Sequence, residues 1–164
     1  MATTAYLGLG SNLGDRLGNL QAAADGLDRI DGVHVVASSR VWETAPVGPP
    51  QPDYLNAVLR VETERSPADL LEACRRVEED LGRVRRERWD ARTIDVDVLL
   101  FDARTVDEPD LVVPHPRLTE RAFVVLPLLE LDPDPVLPDG RRVRDLRVDA
   151  DGAAPFAPPL AVRA

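Results

Sequence analysis

The apolar and polar positions of this chain change period several times, and each change marks an element. Residues 5–10, Ala-Tyr-Leu-Gly-Leu-Gly, form a short apolar run closed by glycine, which predicts a first strand. Ser11 and Asn12 suit a helix cap and Asp15 a first turn. Leu13, Leu17, Leu20, Ala24 and Leu27 then recur at helical spacing to about residue 31. Residues 33–44 read as one long strand, with Val33, Val35 and Ala37 alternating against His34, Val36 and Ser38. Pro46, Gly48, Pro49, Pro50 and Pro52 forbid regular structure over residues 45–53. Residues 54–63 are a further strand, with Leu55, Ala57, Leu59 and Val61 on one face. Ser66-Pro67 opens a helix, Leu70, Leu71, Cys74, Val77 and Leu81 give its stripe, and Gly82 ends it. A strand over 94–101, short extended pieces at 105–106 and 111–113, and a last helix over 121–131 follow. The order β-α-β-β-α-β predicts an α+β, ferredoxin-like split βαβ fold. Its antiparallel sheet carries helices packed on it, with C-terminal additions. The 164 residues fit one domain, placed at 1–150, with 151–164 expected as a flexible tail.

The run Arg88 to Phe101, RWDARTIDVDVLLF, carries the chemistry. Its second half reads as a strand buried on both faces, yet Asp95 and Asp97 sit at i and i+2 near its beginning. Side chains two apart on a strand share a face. Two bare carboxylates side by side repel and are costly to desolvate unless a cation joins them. Oxygen ligands without Cys or His nearby suit a hard ion such as Mg²⁺. Arg83, Arg85, Arg86, Arg88 and Arg92 lie just upstream. Carboxylates for a metal and guanidinium groups for anions together suit a metal-nucleotide site.

Composition narrows the alternatives. The net charge of −9 disfavours general affinity for nucleic acid. The chain contains Arg but no Lys, which excludes Schiff-base lysine chemistry and a P-loop lysine. No apolar run approaches the ~18 residues of a membrane span, and residues 1–10 lack a signal-like pattern, so a cytoplasmic location is expected. The single Cys74, among Leu70, Leu71 and Val77, reads as a small core residue. His34 reads as an ordinary surface histidine.

Five ordered segments resemble the 6-hydroxymethyl-7,8-dihydropterin pyrophosphokinase family of folate biosynthesis. They are residues 6–16 (YLGLGSNLGDR), 44–56 (TAPVGPPQPDYLN), 78–85 (EEDLGRVR), 88–101 and 113–123 (VPHPRLTERAF). The resemblance implies transfer of pyrophosphate from ATP to the hydroxymethyl group of the dihydropterin, releasing AMP, with ATP as co-substrate and two Mg²⁺ ions held by Asp95 and Asp97. It implies that Arg83 and Arg92 contact the triphosphate, and that Glu78, Arg85, Trp89, His115 and Arg121 lie on the ATP side. It also implies that Tyr54 and Phe123 sandwich the pterin, that Asn56 reads its edge, and that Thr44 and Val47 meet it from the proline-rich loop. Residue by residue, other readings stay open. Glu78 can be an exposed helix carboxylate, Arg85 and Arg86 lid charges, and Phe123 core packing. Residues 82–91, with no apolar stripe, suggest a lid that Trp89 seals. Ser11-Asn12-Leu13-Gly14 is read as structural. Asp90, Ala91, Arg75 and Pro116 depart from common family residues, which puts lid closure and ATP contacts in question.

The partners implied are small molecules, with no nucleic acid and no membrane, and the chain is expected to be a monomer. Two rival readings remain: a ferredoxin-like RNA-binding module, and a catalytically dead relative that binds a pterin or a neighbouring folate enzyme. The acidic balance and the absence of an aromatic-rich Gly-Phe strand motif oppose the first. The intact Asp95, Asp97, Arg83 and Arg92 oppose the second.

Overall fold

The computed structural model describes residues 2–45, 50–82, 94–116, 118, 122–132, 134–146 and 152–162. The elements are β1 (Thr3–Ser11), α1 (Arg16–Asp28), β2 (Val33–Ser38), β3 (Val41–Thr44), β4 (Tyr54–Thr63), α2 (Pro67–Asp80), β5 (Asp95–Phe101), β6 (Val106–Glu108), β7 (Leu111–Val113), α3 (Ala122–Leu131) and β8 (Ala153–Ala157). The main sheet runs β5-β1-β4-β3-β8, with β2 also paired to β4, and its pairs are antiparallel. The first four strands of that order are the arrangement expected of a split βαβ unit.

Local signals explain most element ends. Asp15 caps α1 by accepting from Gly18 N at 3.1 Å. Ser66 caps α2 by accepting from Asp69 N at 3.2 Å, with Pro67 in the first turn, where a missing N–H costs nothing. Gly82 follows α2 at φ +81°, a conformation glycine adopts without strain.

The long strand expected over 33–44 is two strands. At the break, Ser39 N donates to Val58 O at 2.9 Å and Ser39 Oγ accepts from Val58 N at 2.9 Å. A side chain thus stands in for a ladder group, and β2 and β3 occupy successive stretches of one β4 edge. On α1, Leu20, Ala23, Ala24 and Leu27 are buried, whereas Leu13 and Leu17 are exposed. The stripe expected to include both leucines starts later, at Leu20: Leu13 precedes the helix, and Leu17 lies exposed in its first turn.

The expectation of a flexible tail is also corrected. Residues 153–157 form β8 on the outer side of β3. Leu160 is in the core at 6% exposure, and its N–H donates to Ser38 Oγ at 3.2 Å. Gln21 binds Ala161 through both its carbonyl and its amide. These partners lie far away in sequence, which is why composition alone suggested disorder.

The sheet has two covered faces. Leu7, Leu9, Ala57, Leu59, Val61, Val96 and Val98 pack with α1 and α2 residues such as Leu20, Leu27, Leu70 and Val77. On the other side, Val58, Leu99 and Leu100 pack against Val124, Val125 and Leu128 of α3 and the segment through Val143. Helix α3 is fastened to β3 by Glu130. That carboxylate accepts from Trp42 Nε1 at 2.7 Å and from Arg40 N at 2.8 Å. The part of this second face beyond α3 is where the candidate residues gather.

Candidate active site

Directly opposed residues of an antiparallel pair share a face. Gly10 on β1 opposes Asp95 on β5 and Asn56 on β4, and Asn56 opposes Trp42 on β3. One step along, Gly8 opposes Asp97 and Val58. In the other direction Tyr54 opposes Thr44. One face of the sheet therefore carries the two aspartates on an edge strand, two glycines on the next strand, and the Asn56, Tyr54 and Thr44 group beyond. The sequence reading named the polar members and passed over the glycines. A Cβ at Gly10 would sit 3.1 Å from Asn56 Oδ1 and 3.5 Å from Tyr54 Cδ1, and one at Gly8 would sit 3.3 Å from the Leu99 methyls. Alternating glycines in a strand were the available signal: they leave a floor that the side chains of Asn56, Tyr54 and Leu99 approach closely.

Asp95 is half-buried and Asp97 exposed, with buried Val96 pointing the opposite way between them. The shared face expected from the i, i+2 spacing is thus present. Among the described residues no cluster of three or more His, Cys, Asp or Glu side chains forms a closed metal cage. A cation at the aspartate pair would take its other ligands from water and substrate oxygens, which is how Mg²⁺ commonly binds beside phosphates.

Asn56 and Thr44 are both buried at 5% exposure, and Asn56 Nδ2 donates to Thr44 Oγ1 at 2.6 Å. The chain just before Tyr54 is braced from the loop after β1. Asn12 Nδ2 donates to Gln51 Oε1 at 2.8 Å and to Pro52 O at 3.0 Å. Arg16 donates to Asp53 O and to Glu43 Oε2, each at 2.9 Å. Asn19 donates to Ser11 Oγ at 3.2 Å and Leu13 O at 3.0 Å. The Ser-Asn-Leu-Gly loop is thus a brace for the Tyr54 strand, in keeping with its structural reading.

Glu78 lies near the end of α2 and is buried, not an exposed helix carboxylate. Its Oε2 accepts from Val96 N at 3.0 Å, between the two aspartates. Cys74, one turn earlier, is buried as expected. Burial pushes its thiol pKa far up, and the Glu78 and Asp97 carboxylates add to the rise. His115 is half-buried, and its N–H donates to Leu99 O at 3.0 Å, which sets it beside the strand of the aspartates. Val47, Arg83, Arg85, Arg86, Arg88, Trp89, Asp90, Arg92 and Arg121 lie outside the described residues, as does the Phe123 side chain, although residue 123 belongs to α3. The lid expected over 82–91 falls almost wholly outside them too.

Comparison with known proteins matches residues 6–133 to the family model of 7,8-dihydro-6-hydroxymethylpterin-pyrophosphokinase (HPPK). The 2-amino-4-hydroxy-6-hydroxymethyldihydropteridine pyrophosphokinase of Methylorubrum extorquens is 45% identical over 150 residues, covering 91% of this chain and 94% of the relative. The Haemophilus influenzae protein of the same name is 41% identical over 144 residues, covering 87% and 90%. The crystal structure of wild-type Plasmodium falciparum HPPK-DHPS with pterin and p-hydroxybenzoate matches with a TM-score of 0.70 at 16% identity. The match covers 89% of this chain and 41% of that longer one, and at this identity it speaks for the fold. The family model spans most of the chain and these relatives align over nearly their whole length, so the chain belongs to the 7,8-dihydro-6-hydroxymethylpterin-pyrophosphokinase family and is a transferase of folate biosynthesis.

Proposed function

We propose that the chain transfers pyrophosphate from ATP to the hydroxymethyl oxygen of 6-hydroxymethyl-7,8-dihydropterin and releases AMP, with two Mg²⁺ ions at Asp95 and Asp97. The observation that carries this reading is the row Asp95–Gly10–Asn56 across three strands. Two strand spacings are about 10 Å. A flat bicyclic ring lying over Gly10, stacked on Tyr54 and read at its edge by Asn56, would present a substituent beside the aspartates. The Asn56 amide offers both donor and acceptor, and its bond to Thr44 holds it in one orientation. Val47 and Phe123 complete the pterin set, and Arg83, Arg85, Trp89, Arg92, His115 and Arg121 the ATP set.

The donor set at the aspartate pair is oxygen alone, and the exposure of Asp97 leaves room for phosphate oxygens, which fits Mg²⁺. When bound, Mg²⁺ supplies neutralisation of the triphosphate and lowers the pKa of the attacking hydroxyl. The hydroxyl oxygen bonds to the β-phosphorus while the bridge to the α-phosphate breaks. AMP leaves with that electron pair, and the hydroxyl proton passes to solvent. Asn56, Tyr54 and Thr44 hold the pterin in line, and Arg83 and Arg92 neutralise the phosphoryl oxygens as charge shifts. The reading includes a monomeric cytoplasmic enzyme. No helix among the described residues is long and apolar enough to cross a membrane. The test is product analysis: AMP should form from ATP only with both the dihydropterin and Mg²⁺ present. ADP in its place, or AMP formed without the pterin, would overturn the proposal.

A further inference from the structure

A carboxylate at 5% exposure is costly unless its oxygens are matched, and Glu78 is such a group. One of these oxygens, Oε2, accepts from the N–H of Val96, the residue between Asp95 and Asp97. Among the described residues β5 is the outermost strand on its side of the sheet, and that N–H is taken by a side chain of α2. In sequence, Glu78 and Val96 flank the connection that carries Arg83 and Arg92. Leucine at position 78 would avoid the cost of burying a charge but would leave the Val96 amide unmatched.

We infer that Glu78 is a positioning residue, which through the Val96 amide fixes the backbone from which Asp95 and Asp97 present their carboxylates to a cation. The inference rests on the reading of that pair as the metal site. It gives Glu78 a role on the strand, where the family resemblance put it near the nucleotide. The hydrogen bond to Val96 is the feature through which this role acts. A glutamine carbonyl would preserve it and a leucine would not.

The experiment compares Glu78→Gln and Glu78→Leu with the parent protein. It reads hydrogen exchange at the Val96 amide, and calorimetric titration with Mg²⁺ in the presence of a nonhydrolysable ATP analogue. Leucine fills the buried site, so that variant should fold. Glu78→Leu should speed Val96 exchange and lower Mg²⁺ affinity by about tenfold or more, the usual effect of losing a group that orients a metal ligand. Binding of the analogue without metal should not change. Glu78→Gln should stay within about threefold of the parent in both readouts, well short of that loss. Parent-like Mg²⁺ affinity in Glu78→Leu overturns the inference alone, as does a Glu78→Gln protein as impaired as the leucine variant. Absence of Mg²⁺ binding by the parent overturns the functional reading and the inference with it.

Discussion

Asn56 and Thr44 are joined across β4 and β3 by a 2.6 Å hydrogen bond between two buried side chains. This bond fixes which way the amide of Asn56 faces, with Oδ1 on the Gly10 side. Thr44→Val keeps the shape and removes the acceptor. The variant should lose about 1–3 kcal/mol in urea unfolding, the cost of a buried unmatched donor. Its dihydropterin affinity should fall about tenfold, a loss of about 1.4 kcal/mol, with ATP binding unchanged. Calorimetry with each ligand checks this, and parent-like pterin binding would argue against an edge-reading role for Asn56.

Gly10→Ala tests the floor. The new methyl group would lie 3.1 Å from Asn56 Oδ1, and Asn56 is tied to Thr44 and cannot yield freely. Overpacking of this kind costs about 1–3 kcal/mol. The loss should appear chiefly as weakened pterin binding, with the strand pairing intact by circular dichroism. Unchanged affinity would mean that the ligand does not lie over β1.

Asp95→Ala and Asp97→Ala should each fold and lose turnover. Asp95 is half-buried and Asp97 exposed, so thermal stability without metal should change little. Activity within about tenfold of the parent, less than about 1.4 kcal/mol of transition-state stabilisation, would refute the metal assignment.

Phe123→Ala should weaken dihydropterin binding by about 1–3 kcal/mol, by analogy with aromatic stacking on nucleic-acid bases, and leave ATP binding nearly unchanged. Equal losses for both ligands would instead indicate that α3 no longer docks.

Tyr6 gives a pH prediction. Burial raises its pKa above the usual 10.0, and the nearby Asp132 carboxylate raises it further while Arg60 opposes. The folded state therefore holds the phenolic proton more tightly than the unfolded state. That contribution is complete below pH 10 and is lost as pH rises through the folded value. The buried thiol of Cys74, also shifted upward, acts in the same direction. Urea midpoints should fall in alkaline solution, and Tyr6→Phe should make the fall shallower without abolishing it. An identical alkaline slope in the variant would show that Tyr6 is not a contributor.

Periodicity and end signals in the sequence determined the local elements, because these depend on neighbours within a few residues. Helix α2 is bounded by Ser66 and Gly82 as read, and Asp95 and Asp97 share a face because a strand repeats every two residues. The family motifs named the candidate polar residues before any fold was known. Tertiary structure decided the rest through partners distant in the chain. The break at Ser39 exists because Val58 lies opposite it. The order of residues 153–162 exists because β3, Ser38 and Gln21 receive them. The burial of Glu78 depends on where α2 meets β5. Above all, β1 lies between β4 and β5, so that Gly8 and Gly10 separate the amide from the acids. No local pattern encodes that arrangement, since a strand's neighbours are chosen by hydrogen bonding and burial across the whole sheet.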